Sequence, residues 1–425
     1  MRVFQTLLAF SGNAPPQLAL TRELVARGHQ VRVLAHRAAG ARIEGTGAEF
    51  VEFRHAPDLD ITRRETDVLR DWDARTRFGA GMRARDNLLI APVLDTAREC
   101  AELLEGWPAD VVLFDWMLLG ASVAAERAGV PAVALVHCPY PFPTAGSTPL
   151  GAGMRPIEGW VGTMRDNLMR NGARHYFGAC VARVNRARRE HGLGRLSSLD
   201  EYLRGAEAIY VMTAPELDFS SRGELPANVY YVGPAFEPFE REWASPWPEA
   251  NVDPLVVISF STSYMNQRAL VQRVLDAVGG LRVRALLTAG PALDTSELQL
   301  PANARAVAFV PHRTVLPHAA LVVTHAGWQT VNAALADGVP IVCVPDGRDQ
   351  PENAARVVFA GAGVRVRKQA SPRKLRKVIA AALADPALKR GAARMAGALA
   401  REDGALVVAD RLEQLTARSS QRAAV

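Results

Sequence analysis

Residues 320–330, Ala-Leu-Val-Val-Thr-His-Ala-Gly-Trp-Gln-Thr, predict a buried strand, a tight turn and the first turn of a helix. The apolar run 320–323 is typical of a buried parallel strand, and it ends at a polar Thr-His pair. Gly327 permits the turn, and the helix that follows ends at Gly338. Free backbone N–H groups and the positive end of the helix dipole then face the same point as His325, which predicts a site for an anion such as a diphosphate.

The length and composition describe a folded protein of two domains. A chain of 425 residues exceeds most single hydrophobic cores, and 49% hydrophobic with 22% charged residues is typical of globular proteins. No apolar run is long enough to span a bilayer, and the N-terminus lacks the regions of a secretory signal. The four cysteines form no C-x-x-C pair. We therefore expect a cytoplasmic protein without a disulfide framework or a zinc site.

The net charge of +6 does not by itself identify a partner. Much of it comes from arginine in a chain rich in alanine and arginine, and no aromatic residues interleave the basic runs as they do on nucleic-acid platforms. We therefore expect no nucleic-acid partner. An anionic small-molecule substrate or a weak contact with a membrane surface fits this charge at least as well.

Short apolar segments alternate with helical patterns, which predicts parallel sheets covered by helices on both faces. In the first half, strands are predicted at 3–10, 31–35, 110–114, 133–136, 209–213 and 230–232. In the second half, they are predicted at 255–260, 284–288, 306–310, 321–324, 341–344 and 363–366. A Pro-, Trp- and Glu-rich stretch with little periodicity separates the two series. The fold class is therefore α/β, with two doubly wound, Rossmann-like domains.

A set of motifs in the second half resembles the donor-binding signature of the inverting nucleotide-sugar glycosyltransferases of plants and antibiotic-producing bacteria. The family order is aromatic-x-Pro-Gln, His-x-Gly-Trp-Asn-Ser/Thr, Gly-Val-Pro and Asp/Glu-Gln. This chain has, in the same order and at similar spacing, Phe309-Val310-Pro311-His312, His325-Ala326-Gly327-Trp328-Gln329-Thr330, Gly338-Val339-Pro340 and Asp349-Gln350. The resemblance implies the GT-B architecture, in which two such domains face a central cleft.

The resemblance also implies how the chain is divided. It assigns residues 1–235 to an N-terminal acceptor domain, 236–253 to a linker, 254–405 to a C-terminal nucleotide-sugar domain and 406–425 to a helix that packs back toward the N-terminal domain. The nucleotide-sugar would be a co-substrate. No cofactor and no metal ion are expected.

The donor side has an implied role for each motif residue. Phe309 would stack on the nucleobase, the backbone of Val310 would bond its edge, and His325 would bond the diphosphate. Asp349 and Gln350 would bond the sugar hydroxyls, for which a carboxylate and an amide provide acceptors and donors. The other residues of the implied donor site are Ser261, Thr262, Gly327, Trp328, Gln329 and Thr330.

One position bears on the base of the nucleotide. Family members that use uridine nucleotides usually have a Glu eight residues after the motif histidine, and it accepts from both ribose hydroxyls. Ala333 stands at that position here. A deoxythymidine nucleotide lacks the 2′-hydroxyl and loses less when the carboxylate is missing. The resemblance therefore favours a dTDP-sugar over a UDP-sugar.

The acceptor side departs from the family pattern. The family places a general-base His after the first strand, between a Gly and a later Pro; Gly12 and Pro16 match, but the His position is Asn13, which cannot take a proton at neutral pH. Asp115 follows a predicted strand and matches the carboxylate that orients that His, and His137 follows the next strand. Catalytic groups of open α/β sheets gather at these carboxyl ends.

Three interpretations of this departure stay open. Asp115 or His137 could act as the base, with Asn13 positioning the acceptor. The acceptor could need little activation, as is true of a phenol, an amine or an electron-rich aromatic carbon. The protein could also have lost catalysis and act as a helper that activates a partner glycosyltransferase.

The segment 160–191 is helical in pattern and contains seven arginines. It could be a mobile basic lid over the acceptor pocket, a membrane-contacting face or a plain solvated surface. The membrane alternative would fit a glycosyltransferase with a lipid acceptor. The preferred interpretation is an inverting, metal-independent enzyme, monomeric or homodimeric, that transfers a sugar to a hydrophobic aglycone such as a polyketide or an aromatic natural product.

Overall fold

The computed structural model describes residues 1–8, 11–56, 61–145, 153–239, 242–260 and 263–423. Strands and helices alternate in two successive series. The first series comprises β1 (Arg2–Leu7), α1 (Ala14–Ala26), β2 (Gln30–Ala35), α2 (Gly40–Glu44), β3 (Glu49–Glu52), α3 (Arg77–Ala84), α4 (Val93–Gly106), β4 (Val111–Asp115), α5 (Gly120–Ala128), β5 (Ala132–Val136), α6 (Trp160–Glu190), α7 (Leu199–Arg204), β6 (Ala208–Val211) and β7 (Val229–Tyr231). The second comprises β8 (Leu255–Ser259), α8 (Arg268–Val278), β9 (Arg284–Thr288), β10 (Ala304–Val307), α9 (His312–Val315), β11 (Ala319–Thr324), α10 (Trp328–Ala336), β12 (Ile341–Cys343), α11 (Gln350–Phe359), β13 (Gly363–Arg365), α12 (Pro372–Ala384), α13 (Pro386–Leu399) and α14 (Gly404–Ala423).

Each series forms one parallel sheet. The first sheet has the order β3-β2-β1-β4-β5-β6-β7 and the second the order β10-β9-β8-β11-β12-β13. In both sheets the chain starts in the middle, winds outward in one direction, and then returns to wind the other way. The predicted pair of doubly wound α/β domains is confirmed. The winding reverses between β1 and β4 and between β8 and β11, and open α/β sheets bind ligands at such points, beyond the carboxyl ends of the strands.

The structure differs from the sequence prediction at three elements. The edge strand β3 was not predicted, because its sequence Glu-Phe-Val-Glu is too short and too polar to stand out. The sequence pattern of residues 18–27, followed by Gly28, predicts a helix that starts at Leu18. In the structure this helix, α1, begins at Ala14, since Pro15 and Pro16 occupy its first turn, where a missing N–H costs no hydrogen bond. The strand expected at 306–310 ends at Val307, so the aromatic motif that follows lies in a loop.

The last helix returns to the first sheet. Val408 and Leu412 of α14 lie in the same buried core as Leu20 and Leu24 of α1. The segment before α14 returns past Gly233, where a Cβ atom would lie 2.1 Å from the carbonyl oxygen of Glu402. The φ of +77° at this position also favours glycine. The two ends of the chain therefore stabilise one core.

Helix α6 is the arginine-rich segment predicted from the sequence, and it runs from Trp160 to Glu190. Its first turns expose apolar side chains, including those of Trp160, Met164 and Leu168. No helix in the described ranges has both the length and the hydropathy needed to cross a bilayer. The lid, membrane and solvated-surface interpretations of α6 all stay predictions.

Candidate active site

The carboxyl ends of the central strands of the two sheets meet across a cleft. The Nε2 group of Gln329, in the first turn of α10, donates to the backbone oxygen of His137, at the end of β5, over 3.0 Å. Nearby, the hydroxyl of Thr213 donates to the Oδ1 atom of Asn332 over 3.1 Å. Both hydrogen bonds join the first half of the chain to the second. They bring the predicted acceptor and donor residues into one site.

The turn after β11 shapes the donor side. Ala326 has a φ of +72°, and its N–H donates to the hydroxyl of Thr324, which holds the chain in this sharp turn. The imidazole of His325 then lies directly over Gly327, where a Cβ atom would be 2.7 Å from Nε2. Gly327 is therefore required by the close approach of the ring and not by its own φ of −62°.

His325 is an uncharged histidine. Burial and the nearby guanidinium of Arg348 lower the pKa of His325 to about 3. Its Nδ1 atom is buried and has no hydrogen-bond partner among the described residues. A neutral imidazole has one N–H donor, which can bond a phosphate oxygen without a change of charge on the protein.

The first turn of α10 adds backbone donors to the same place. The N–H groups of Trp328, Gln329 and Thr330 belong to the first turn of the helix, where no carbonyl of the same helix can accept them. Gly327 precedes the helix in extended conformation and, as its N-cap residue, provides no side-chain hydrogen bond to these donors. The arrangement suits an anion.

The nucleobase side is open. Phe309 is 72% exposed, which leaves its ring free to stack, and Val310 packs partly against the core. His312 stands where the family motif has Gln; its Nε2 atom lies 3.1 Å from the hydroxyl of Ser259, and burial lowers its pKa to about 4. Ser261 and Thr262 lie outside the described residues.

Asp349 and Gln350 occupy different environments. Asp349 is half-buried and accepts a hydrogen bond of 2.8 Å from Asn353, which also donates to the backbone oxygen of Ala326. The side chain of Gln350 is buried, and its Oε1 atom accepts from the backbone N–H groups of the preceding loop, at Asp346 and at the next residue. The amide of Gln350 is thus turned toward the protein in this structure, while the carboxylate of Asp349 stays within reach of the cleft.

Asp115 lies at the end of β4 and is fully buried. Gln17 donates to its Oδ2 atom over 2.7 Å, and the N–H of Met117 donates to Oδ1 over 3.0 Å. Burial raises the pKa of Asp115, while His137 and these donors act in the opposite direction. Asn13 precedes α1 without capping it, and its buried Nδ2 group has no partner among the described residues.

His137 joins the two halves of the site. Its Nδ1 atom is 3.7 Å from Oδ2 of Asp115, which is a close contact but longer than a hydrogen bond. Burial lowers the pKa of His137, while the negative charges of Asp115 and Asp349 act to raise it. His137, like its neighbour Cys138, therefore lies within the electrostatic reach of the predicted sugar-binding carboxylate.

A row of aromatic side chains leads away from His137 on the acceptor side. The rings of Trp116 and His137 are 6.5 Å apart, and Phe142 meets Trp116 edge-on at 5.7 Å and Phe177 at 5.2 Å. Trp116, Phe142 and Phe177 line a void of about 10 Å³, which has room for no more than about one water molecule. An aglycone cannot enter this void unless the aromatic side chains move.

Two residues of the site were missed in the sequence. Gln17 contacts Asp115, and Asn353 contacts Asp349. Each is a buried amide one helical turn after a predicted site residue, since Gln17 follows Asn13 by four positions and Asn353 follows Asp349 by four. Residues four positions apart lie on the same face of a helix, so this spacing could have predicted both amides from the sequence.

Comparison with known proteins places this site in context. Residues 272–415 match the domain family described as erythromycin biosynthesis protein CIII-like, C-terminal domain. The chain is 29% identical to 4′-demethylrebeccamycin synthase of Lentzea aerocolonigenes over 97% of its own length and 99% of that protein. It is 28% identical to demethyllactenocin mycarosyltransferase of Streptomyces fradiae, with coverages of 96% and 85%.

A solved structure shows the same architecture. The glycosyltransferase VinC, in complex with dTDP, superposes with a TM-score of 0.72 at 20% sequence identity and covers 98% of this chain and 100% of its own. The GT-B fold expected from the motifs is thereby confirmed. The chain is therefore a glycosyltransferase with the GT-B fold and an EryCIII-like C-terminal domain, and it is similar over nearly its whole length to enzymes of antibiotic and natural-product biosynthesis.

Proposed function

We propose that this chain transfers a sugar from a nucleoside diphosphate sugar, with dTDP preferred to UDP, to a hydrophobic aglycone, and that the reaction inverts the anomeric carbon. The observation that carries this proposal is the meeting of two sets of groups at one cleft. The anion-binding turn at His325 and the carboxylate of Asp349 lie on one side, and the Asp115–His137 pair lies on the other. Inversion requires attack from the side opposite the leaving diphosphate, and this arrangement provides both sides.

On the donor side, the role of the protein is to stabilise the diphosphate as it leaves. The neutral imidazole of His325 and the free N–H groups of α10 donate to phosphate oxygens, and the helix dipole favours the growing negative charge. Asp349 is held by Asn353 and accepts from the sugar hydroxyls. No step of this scheme needs a metal ion, so we expect transfer to continue in the presence of EDTA.

On the acceptor side, we assign the base to His137 and an orienting role to Asp115. The carboxylate is enclosed and accepts from Gln17 and from backbone N–H groups, so it faces the ring and not the acceptor. With Nδ1 turned toward Asp115, Nε2 is the nitrogen left to take the acceptor proton. The lowered pKa of His137 keeps it neutral and able to accept a proton, but makes it a weak base. A phenol or an amine is therefore a better acceptor than an alkyl alcohol.

Two further features support the choice of substrates. Ala333 is buried in α10, so an apolar methyl group stands where a ribose-binding carboxylate would be, and this favours the deoxyribose of dTDP. Trp116 lies beside His137, and Phe142 and Phe177 extend the apolar surface from Trp116, which favours a hydrophobic acceptor. The VinC neighbour, solved with dTDP, agrees with the nucleotide preference.

Calorimetric titration with dTDP and with UDP tests the proposal. A hydrogen bond to a charged phosphate contributes about 1.5–3 kcal/mol, so we expect His325→Ala to weaken dTDP binding by about 10- to 100-fold. His175→Ala is the matched control, because His175 is exposed on α6 and lies outside the site.

The outcomes separate the parts of the proposal. Tighter binding of dTDP than of UDP, lost in His325→Ala and kept in His175→Ala, supports both the donor site and the nucleotide. Tighter binding of UDP would contradict the argument from Ala333 and keep the enzyme class. If neither nucleotide binds the wild-type protein, the proposal fails.

A further inference from the structure

The positive charge of this chain is concentrated in one segment of its second half. All four lysines of the chain lie between residues 368 and 389. Residues 363–394 contain ten lysines and arginines and one acidic residue, a net charge of +9, against +6 for the whole chain. The rest of the chain is therefore net acidic, and this local charge is not explained by an arginine-rich composition.

Four of these basic residues line a groove beside β13, the last strand of the second sheet. The groove has a volume of about 760 Å³. Its apolar lining comes from Val364, Val366, Val378, Ala381, Ala382 and Leu388, and its basic lining from Arg365, Arg367, Lys374 and Lys377. One carboxylate, that of Asp385, lies at its end and accepts from the N–H of Ala387 at the start of α13.

Three of the four cations that line the groove form no ion pair with the residues that the structure describes. Elsewhere in the segment, Lys368 pairs with Asp346 over 2.6 Å, and Arg376 donates to backbone carbonyls of α8. By contrast, Arg367, Lys374 and Lys377 are exposed and have no carboxylate within ion-pair distance in the part of the chain that the structure describes. Like charges held close together repel, and a ligand that carries negative charge would relieve this repulsion.

We propose that the groove binds an extended, acidic polypeptide segment of a partner protein. Val366, Ala382 and Leu388 of the lining are buried while the cations are exposed, so the groove fits a chain that presents apolar and acidic side chains in alternation. A flat bilayer surface would not reach these buried side chains. The lining contains no aromatic side chain on which nucleic-acid bases could stack.

A labelled peptide tests this surface. The probe is a fluorescein-labelled peptide of alternating glutamate and valine, measured by fluorescence anisotropy, with a glutamine–valine peptide as its uncharged counterpart. The variant is Lys374→Glu/Lys377→Glu on α12. Its matched control is Arg186→Glu/Arg189→Glu, which reverses two basic side chains at the same spacing on α6. Thermal unfolding of each variant confirms that it is folded.

The proposal predicts a defined pattern. The acidic peptide binds the wild-type protein and the α6 variant equally, the α12 variant binds it at least about tenfold more weakly, and the glutamine peptide does not bind. On binding, hydrogen exchange slows in residues 364–378. Three results would overturn the proposal: equal binding to all three proteins, no binding of the acidic peptide, or binding of anionic vesicles or of an oligonucleotide through the α12 lysines without binding of the peptide.

Discussion

Asn13 and Gln17 together explain the environment of Asp115. Asn13 stands where the resembled family has its basic histidine, and its amide cannot take a proton. Asp115 instead accepts from Gln17, one turn further along α1, and lies close to His137. The carboxylate is therefore held by an amide on one side and faces an imidazole on the other. This arrangement supports the proposal that the general base is His137, after β5, and not the residue at position 13, before α1.

Replacing Gln17 should move the pH dependence of the reaction. The Gln17 amide favours the charged form of Asp115, so Gln17→Leu should raise the pKa of that carboxyl further above its usual value. A protonated Asp115 cannot stabilise a charged His137, and activity is lost as the pH falls through the raised pKa. The loss of one hydrogen bond to a charged group should therefore move the acidic limb of the profile of kcat/KM against pH by about one to two units toward higher pH.

The measurement is kcat/KM against pH for transfer from a dTDP-hexose to 4-methylumbelliferone, a fluorescent phenol. Gln272→Leu, on the surface of α8, is the matched control and should leave the profile in place. Superimposable profiles for wild type and Gln17→Leu would show that Gln17 has no influence on the titrating group.

At the scale of elements, the sequence could predict most strands and the turn after β11, but it could not predict the structural role of each residue in them. Buried parallel strands are continuous apolar runs, so most of them were predicted close to their observed positions. The edge strand β3 was missed because only two of its four residues, Phe50 and Val51, are apolar. Gly327 was interpreted as a turn residue, whereas the structure shows that its missing side chain makes room for His325.

This close approach makes Gly327→Ala a selective perturbation. The φ of −62° at Gly327 is open to alanine, so the backbone can stay in place, but the new Cβ atom would lie 2.7 Å from Nε2 of His325. The imidazole has to move away from the diphosphate position. We expect dTDP to bind about tenfold more weakly, as for a partly lost hydrogen bond to a charged group.

Calorimetry with dTDP and thermal unfolding together check this expectation. Gly172→Ala, in α6, is the control, because a Cβ atom there meets no other group within 4 Å. Wild-type affinity in Gly327→Ala would mean that His325 does not bond the diphosphate from its present position. A large fall in the unfolding temperature would show that the change disrupts the turn itself.

At the scale of the whole molecule, the two halves are joined by a buried group of charges. The guanidinium of Arg356, in α11, lies 3.1 Å from Asp218 of the first half and 3.0 Å from Glu352 of its own helix. All three side chains are buried, and the ring of Phe219 lies 4.6 Å from the guanidinium carbon. A second pair, Arg401 with Glu216, joins the same halves at the surface.

Sequence patterns do not predict such contacts. Asp218 and Arg356 are 138 residues apart, and nothing in the periodicity of either segment indicates the other. What the sequence could supply was local: strands, turns and the residues at strand ends, because these depend on neighbours in the chain. The shape of the cleft depends on how the halves pack, so the electrostatic effect of Asp349 on His137, and the aromatic cluster at Trp116, became visible only in the structure.

The buried group and the surface pair should differ sharply in their effect on stability. Arg356→Met removes the cation that pairs with two buried carboxylates, and breaking a buried ion pair in this way costs about 3–5 kcal/mol. Arg401→Met removes a cation that is largely in water, for which about 0–1 kcal/mol is expected. Urea unfolding of both variants gives the two free energies. Adding Asp218→Asn and Glu352→Gln to Arg356→Met should recover much of the loss, since the unpaired charges are then gone. Equal costs for the two single variants would mean that the carboxylates at Arg356 are protonated or hydrated, and that this group of charges contributes little to the contact between the halves.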